Sequence, residues 1–120
     1  MITKEIKDEL YAVGLNCDEM IAKFMDSEQM FLKFYKKFFD SSDSVVEELR
    51  TAVSSDDYAQ IENRAHALKG MAGNIGLNAV FAPAQKIVDD MRAQIYTNYK
   101  ADFEKLQTAY STAKSISEKL

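Results

Sequence analysis

Apolar residues recur every three or four positions along nearly the whole chain, and no strict alternation lasts long enough for a strand. This spacing is typical of amphipathic helices, since an α-helix turns through about 100° per residue. It predicts helices at about residues 3–13, 17–25, 28–40, 44–53, 58–76, 79–97 and 99–118. Long helices with short connections predict an all-α fold, an antiparallel four-helix bundle preceded by one or two short N-terminal helices.

Breaks between these helices are marked by glycine and by residues with capping side chains. Gly14 is expected to end the first helix, and Asn16 to begin the second with Glu19 in a capping-box-like arrangement. Ser41-Ser42-Asp43-Ser44 predicts a break or kink between residues 40 and 44. Asn78 is expected to cap the helix that follows it.

The helix at residues 28–40 is apolar on two sides, which is usual for a helix between two other elements. Its first apolar face carries Met30, Phe31, Phe34 and Phe38, and its second carries Leu32, Tyr35 and Phe39. We expect one face against the bundle and the other against the N-terminal helices. Alternatively, part of the second face is a docking surface.

The helix at residues 58–76 carries the only histidine of the chain, and the histidine lies on the polar side. The apolar stripe consists of Ile61, Ala65, Leu68, Ala72 and Ile75. The opposite face consists of Glu62, Asn63, His66, Lys69, Gly70, Gly73 and Asn74. His66 is thus roughly 160° away from Leu68 in the middle of the stripe. A histidine that served core packing would lie on the other side.

The surroundings of His66 indicate its chemistry. A neutral imidazole is a nucleophile near pH 7, and Lys69, three residues on, reaches the same space. Gly70 and Gly73 follow on the same face, although glycine inside a helix costs about 1 kcal/mol relative to alanine. They indicate either a weak helix near its end or room for the backbone of another protein. A nucleophile, a cation and an open approach together suggest a carrier of an anionic group, such as phosphoryl.

Composition narrows the remaining classes of function. A chain of 120 residues, 28% of them charged, is expected to form one domain over residues 1–120. The net charge of −4 and the absence of a long basic run argue against nucleic acid as a partner. No stretch has the length of a membrane span, and the N-terminus has no apolar signal region. The single Cys17 fits a reducing cytosol, and one Cys with one His argues against a structural zinc site.

The run Ala65-His66-Ala67-Leu68-Lys69-Gly70, followed by Gly76-Leu77, resembles the signature of histidine-containing phosphotransfer (HPt) domains. Upstream, Gly14-Leu15-Asn16, Phe24-Met25, Phe31-Leu32 and Phe38 resemble the first helices of that family in order and spacing. The likeness covers most of the chain and is weakest in the last twenty residues.

The resemblance implies a phosphorelay intermediate in the cytoplasm. His66 would accept a phosphoryl group from an aspartyl phosphate on a receiver domain, of a response regulator or a hybrid histidine kinase, and pass it to another receiver aspartate. The protein would need no cofactor of its own, because Mg²⁺ belongs to the receiver. No ATP-binding motif is present, so the chain is expected to be a phosphocarrier and not a kinase. It is expected to be a monomer.

The resemblance also assigns roles around His66. Lys69 would offset charge on the phosphoryl oxygens, and Arg92 lies where some family members have a basic residue. The binding residues would be Gly70, Gly73, Glu62, Asn63, Asn74 and Gln85. One position departs from the pattern: Val88 stands where the family often has Gln or an acid that holds the other ring nitrogen. Either Gln85 or water would take that role.

Two alternatives share the fold. A helical adaptor would bind a receiver or a histidine kinase without carrying phosphate, and would need a docking face but not His66. In the second alternative, the chain is the phosphoacceptor module of a larger kinase.

Overall fold

The computed structural model describes residues 2–120, and within them the chain forms six helices and no strand. The helices are α1 (Lys4–Ala12), α2 (Cys17–Lys23), α3 (Glu28–Ser54), α4 (Tyr58–Ile75), α5 (Asn78–Arg92) and α6 (Tyr99–Ser117). The prediction of an all-α fold is confirmed. At about 1.5 Å per residue, the 27 residues of α3 account for most of the 43 Å length of the molecule.

The four long helices pack in a ring, because α4 contacts α3 and α5, and α6 contacts α5 and α3. The two short helices add to this bundle, α1 against α6 and α2 against α3. This is the predicted four-helix bundle with two short N-terminal helices. Its core includes fully buried side chains from five of the helices and from two connections, among them Leu10, Leu15, Phe31, Leu49, Leu68, Leu77, Ile87 and Leu106.

The predicted break at residues 41–44 is wrong, because α3 runs through it without interruption. The Ser42 hydroxyl is fully buried and lies 2.7 Å from the hydroxyl of Tyr110 on α6. Tyr110 also donates a hydrogen bond to Asp43, which accepts another from Lys114 at 2.7 Å. The polar residues therefore form a satisfied polar layer between α3 and α6, which removes the need for a helix end.

The two apolar faces of α3 lie as expected, the first against the N-terminal helices, where the Phe31 and Phe24 ring centroids are 6.0 Å apart, and the second against the bundle. Tyr35 and Phe39, on the second face, are buried, and the Tyr35 hydroxyl donates to the Ala113 carbonyl oxygen at 2.5 Å. Tyr35 and Phe39 are therefore not part of a docking surface, whereas Leu32 on the same face is half-buried. The exposed aromatic residue belongs to the first face: Phe34 is 45% exposed and stacks on Phe24, with ring centroids 5.2 Å apart.

Helix α4 begins and ends as its sequence predicts. The Asp57 side chain accepts from the backbone N–H of Gln60, which satisfies one of the donors left unpaired at a helix start. Gly76 ends the helix with φ 79°, a left-handed conformation that glycine adopts without steric cost. A side chain there would also collide with Met20, whose sulfur lies 2.6 Å from the place of a Cβ atom.

Helix α5 differs from the prediction at both ends. Leu77, not Asn78, occupies the N-cap position and makes no side-chain cap; instead, the Val13 carbonyl oxygen accepts from the Ala79 N–H at 3.1 Å. The helix ends at Arg92, five residues before the predicted end at 97. Ile95, an apolar residue within the predicted helix, lies beyond this end and is 43% exposed.

Candidate functional site

His66 lies at the middle of α4, on the side that faces solvent. The apolar stripe on the other side of the helix is buried in the bundle, as predicted, and consists of Ile61, Ala65, Leu68, Ala72 and Ile75. The histidine is exposed, and within residues 2–120 its ring makes no hydrogen bond or ion pair. Core packing therefore does not explain its presence, and both the approach to the ring and its rotation are unhindered by a polar contact.

The residue proposed to hold the second ring nitrogen does not do so in this structure. Gln85 is exposed and makes no hydrogen bond to His66 in the described part of the chain. Val88, at the position where the family often has a polar residue, is fully buried in the core. Of the two predicted alternatives, the structure does not support Gln85, and orientation of the ring by water stays a prediction.

Two cations lie along α4 on either side of His66. Lys69, three residues after the histidine, is half-buried and forms no ion pair with any residue from 2 to 120. Arg92 comes from the last position of α5, and its Nε lies 3.3 Å from Oε2 of Glu62, four residues before the histidine. The bundle thus brings Glu62, Arg92 and Lys69, which were selected from the sequence, to the same stretch of α4.

The two glycines beyond His66 are in different surroundings. A Cβ atom added at Gly70 would meet no atom within 4 Å beyond its own helix. A Cβ atom at Gly73 would lie 3.3 Å from the Phe81 ring of α5, which is tighter than an ordinary contact. Gly70 therefore leaves open surface next to the histidine, whereas Gly73 also allows α5 to pack closely on α4.

The predicted asparagines are both exposed. Asn63 uses its side-chain oxygen to accept from Nε of Arg64 at 2.8 Å, so its oxygen is engaged by its own neighbour. Asn74 lies two turns beyond His66 and lines an apolar groove between α4 and the α2–α3 region. On the exposed face of α4, Asn74 therefore lies on the C-terminal side of His66, next to the groove, and Asn63 lies on the N-terminal side.

The groove was not predicted as a unit. It has a volume of about 410 Å³ and is lined by Phe24, Phe34, Lys37, Phe38, Ser41, Met71, Asn74 and Ile75. Two of its aromatic residues, Phe34 and Phe38, belong to the first apolar face of α3, which we expected to lie against another element of the fold. Because Phe34 is only partly covered, part of the first apolar face is open to solvent near the exposed face of α4 that carries His66.

The described residues hold neither a metal cluster nor a membrane-spanning helix. Among residues 2–120, no three His, Cys, Asp or Glu side chains are grouped as ligands of a metal ion. No helix in the described part of the chain is both long enough and apolar enough to cross a lipid bilayer.

Fold and site together define a class: an all-helical bundle that presents one nucleophilic side chain on the polar face of a central helix. The Hpt domain family matches residues 33–115, which is more than half of the chain, and the chain therefore belongs to this family. Hpt domains take part in phosphotransfer in two-component relays, pair with receiver or kinase partners, and lack kinase activity of their own. Comparison with curated proteins and with solved structures finds no match.

Proposed function

We propose that this protein is a phosphorelay intermediate in which His66 carries the phosphoryl group between two receiver aspartates. The observation that carries the proposal is the exposure of the only histidine of the chain on the polar face of α4, inside the segment that matches the Hpt family. An exposed imidazole that forms no hydrogen bond or ion pair with residues 2–120 is available to attack a phosphorus atom presented by a partner.

The transfer would proceed by substitution at phosphorus. A lone pair on one ring nitrogen of His66 forms the N–P bond, and the P–O bond of the aspartyl phosphate breaks. The electron pair of that bond leaves with the carboxylate of the donor receiver, while the second ring nitrogen keeps its proton or releases it to water. In the return step an acceptor carboxylate forms the new P–O bond, and the N–P electron pair returns to the ring.

The chain's own contribution would be charge and access. Lys69 is placed to offset negative charge on the phosphoryl oxygens, and Gly70 leaves room for the receiver backbone. Mg²⁺ would belong to the receiver, since Glu62 is the carboxylate nearest to His66 along α4 and is paired with Arg92. We further propose that the protein works in the cytoplasm as a monomer, which fits its single, buried cysteine.

The receiver would cover the apolar groove together with the histidine. Met71 and Asn74 place one wall of the groove on α4, within two turns of His66. The other wall includes Phe34, which is 45% exposed. Aromatic residues, Phe included, are enriched in protein interfaces, so a partly exposed Phe34 beside the histidine supports a docking role for the groove.

The test is incubation with phosphorylated receivers from the same genome, with the phosphoryl group followed onto this chain. We expect labelling that is lost in acid, stable in base, and absent from His66→Gln. The melting temperature of that variant should be nearly unchanged, because an exposed substitution usually alters the free energy of unfolding by less than about 0.5 kcal/mol. Receiver binding without any labelling would instead establish the helical adaptor, and the proposal would be wrong.

A further inference from the structure

The ion pair between Arg92 and Glu62 lies next to the reactive histidine and joins two helices. Glu62 and His66 are four residues apart on α4, a spacing that brings their side chains together on one face, about 6 Å apart at Cβ. The guanidinium of Arg92 is in contact with Glu62, which lies one helical turn before His66 on the same face. On the other side of His66, Lys69 has no ionic partner among residues 2–120.

The contact is of a kind that exchanges readily. The side chains of Arg92 and Glu62 are 56% and 38% exposed, and exposed ion pairs contribute little to stability. Arg92 uses Nε for this contact, whereas a guanidinium has five N–H donors. Its terminal NH₂ groups therefore remain available for a second anion. Arg92 is also the last residue of α5, where its side chain extends from a helix end.

Arrival of a phosphoryl group changes the balance around Arg92. A phosphoryl group carries about −1.5 to −2 charge near pH 7 when bound to a protein side chain, whereas the Glu62 carboxylate carries −1. Guanidinium also binds phosphoryl oxygens through two parallel hydrogen bonds. An arginine shared between the two anions is therefore expected to move from the carboxylate to the phosphoryl group.

We infer that Glu62 is a positioning residue that keeps Arg92 paired one turn before His66 until phosphorylation, and that Arg92 then exchanges this carboxylate for the phosphoryl oxygens. The inference rests on the proposed function. It gives Glu62 a role that is neither metal binding nor direct contact with the partner. It also gives the two cations different roles. Lys69 has no ionic partner among residues 2–120 before phosphorylation, whereas Arg92 leaves Glu62 only when the phosphoryl group is present.

The exchange can be observed without a receiver. Phosphoramidate serves as a small chemical donor, ³¹P NMR reports phosphohistidine, and the ¹⁵N–¹H signal of Arg92 Nε reports its partner. We expect the Arg92 signal to move when wild-type protein is phosphorylated, and to stay in place in His66→Gln treated in the same way. In Glu62→Gln the signal should already be displaced before phosphorylation.

The matched control is Glu47→Gln, which removes the same charge from another exposed pair, Glu47 with Arg50 on α3. It should leave the Arg92 signal unchanged. If phosphohistidine forms but the Arg92 signal does not move, the inference is wrong and the proposed function stands. If wild-type protein forms no phosphohistidine with phosphoramidate or with any phosphorylated receiver, both are wrong.

Rates of phosphorylation separate positioning from simple charge. Glu62→Gln should speed phosphorylation by phosphoramidate about two- to five-fold, the range expected for an exposed ion pair, and Arg92→Gln should slow it. If Glu62 acts through Arg92, the gain from Glu62→Gln should largely disappear in the Arg92→Gln background. An equal gain in both backgrounds would mean that Glu62 acts only by its own charge, which would overturn the positioning role.

Discussion

Gly70→Ala separates stability from access at a single position. Glycine inside a helix is less favourable than alanine because it loses more conformational freedom on folding. At Gly70 the added methyl group would meet no atom within 4 Å beyond its own helix, so no clash offsets that gain. The same methyl group would lie one turn beyond His66, on the surface that a receiver would cover.

The expected gain in stability can be converted into a melting temperature. Gly→Ala at an unstrained helical site stabilises by about 0.5–1 kcal/mol. The entropy of unfolding is about 2.1 cal/mol/K per residue, so a chain of 120 residues has about 0.25 kcal/mol/K. The melting temperature of Gly70→Ala should therefore rise by about 2–4 °C. Phosphotransfer from a receiver should become slower, and Gly70→Gln should slow it further with the fold intact.

The assay pairs thermal melts with single-turnover transfer from one phosphorylated receiver. Gly73→Ala is the control, because its methyl group would lie 3.3 Å from the Phe81 ring and the gain should shrink or change sign. Transfer at the wild-type rate by both Gly70 variants would show that access at this position does not matter. A fall in the melting temperature of Gly70→Ala would refute the helix argument itself.

Three further predictions concern the core, the polar layer and the groove. Leu68→Ala, at a fully buried position of α4, should destabilise the protein by about 2–5 kcal/mol, measured by urea unfolding; a value near that of His66→Gln would contradict the assignment of the buried face. Burial alone would raise the pKa of Asp43, but hydrogen bonds from Lys114 and Tyr110 outweigh it and lower the pKa. A lowered pKa adds stability above the unfolded value of about 3.9, and this is lost as the pH falls through the folded pKa. The difference in melting temperature between wild type and Asp43→Asn should therefore shrink below about pH 4, and a constant difference down to pH 2 would exclude this explanation. Phe34→Ala should weaken receiver binding about five-fold or more in calorimetry, whereas Tyr11→Ala, at another exposed aromatic residue, should not; equal effects would exclude the groove.

Helix ends were predictable where glycine marks them. Gly14 and Gly76 both have positive φ, and each follows the end of its helix, as expected from the ease with which glycine adopts this conformation. The end of α5 has the same geometry without glycine. Gln94 has φ 58°, and the Ile95 N–H donates to the Asp90 carbonyl oxygen at 2.8 Å. Since nothing in the residue type indicates this turn, the apolar spacing carried the prediction too far.

The break expected within α3 failed for a different reason. Serine and aspartate favour helix starts because their side chains can accept from backbone N–H groups. In α3, Ser42 and Asp43 have a partner on another helix instead. Both form hydrogen bonds with Tyr110, which is 68 and 67 residues further along the chain. Such a partner cannot be found by local spacing. The position of His66 was predictable because it depends only on the rotation of one helix.

The contact between Val13 and Ala79 makes the family segment dependent on residues outside it. The match begins at residue 33, yet the N–H of Ala79 at the start of α5 is bonded to a carbonyl oxygen twenty residues earlier than that boundary. A fragment of residues 33–115 would lose this acceptor along with Leu10 and Leu15, which are fully buried. Helix α5 would then fray from its first turn, and this helix carries Arg92 at its far end. Cooperative folding of the domain should therefore require the N-terminal segment, although that segment lies outside the family match.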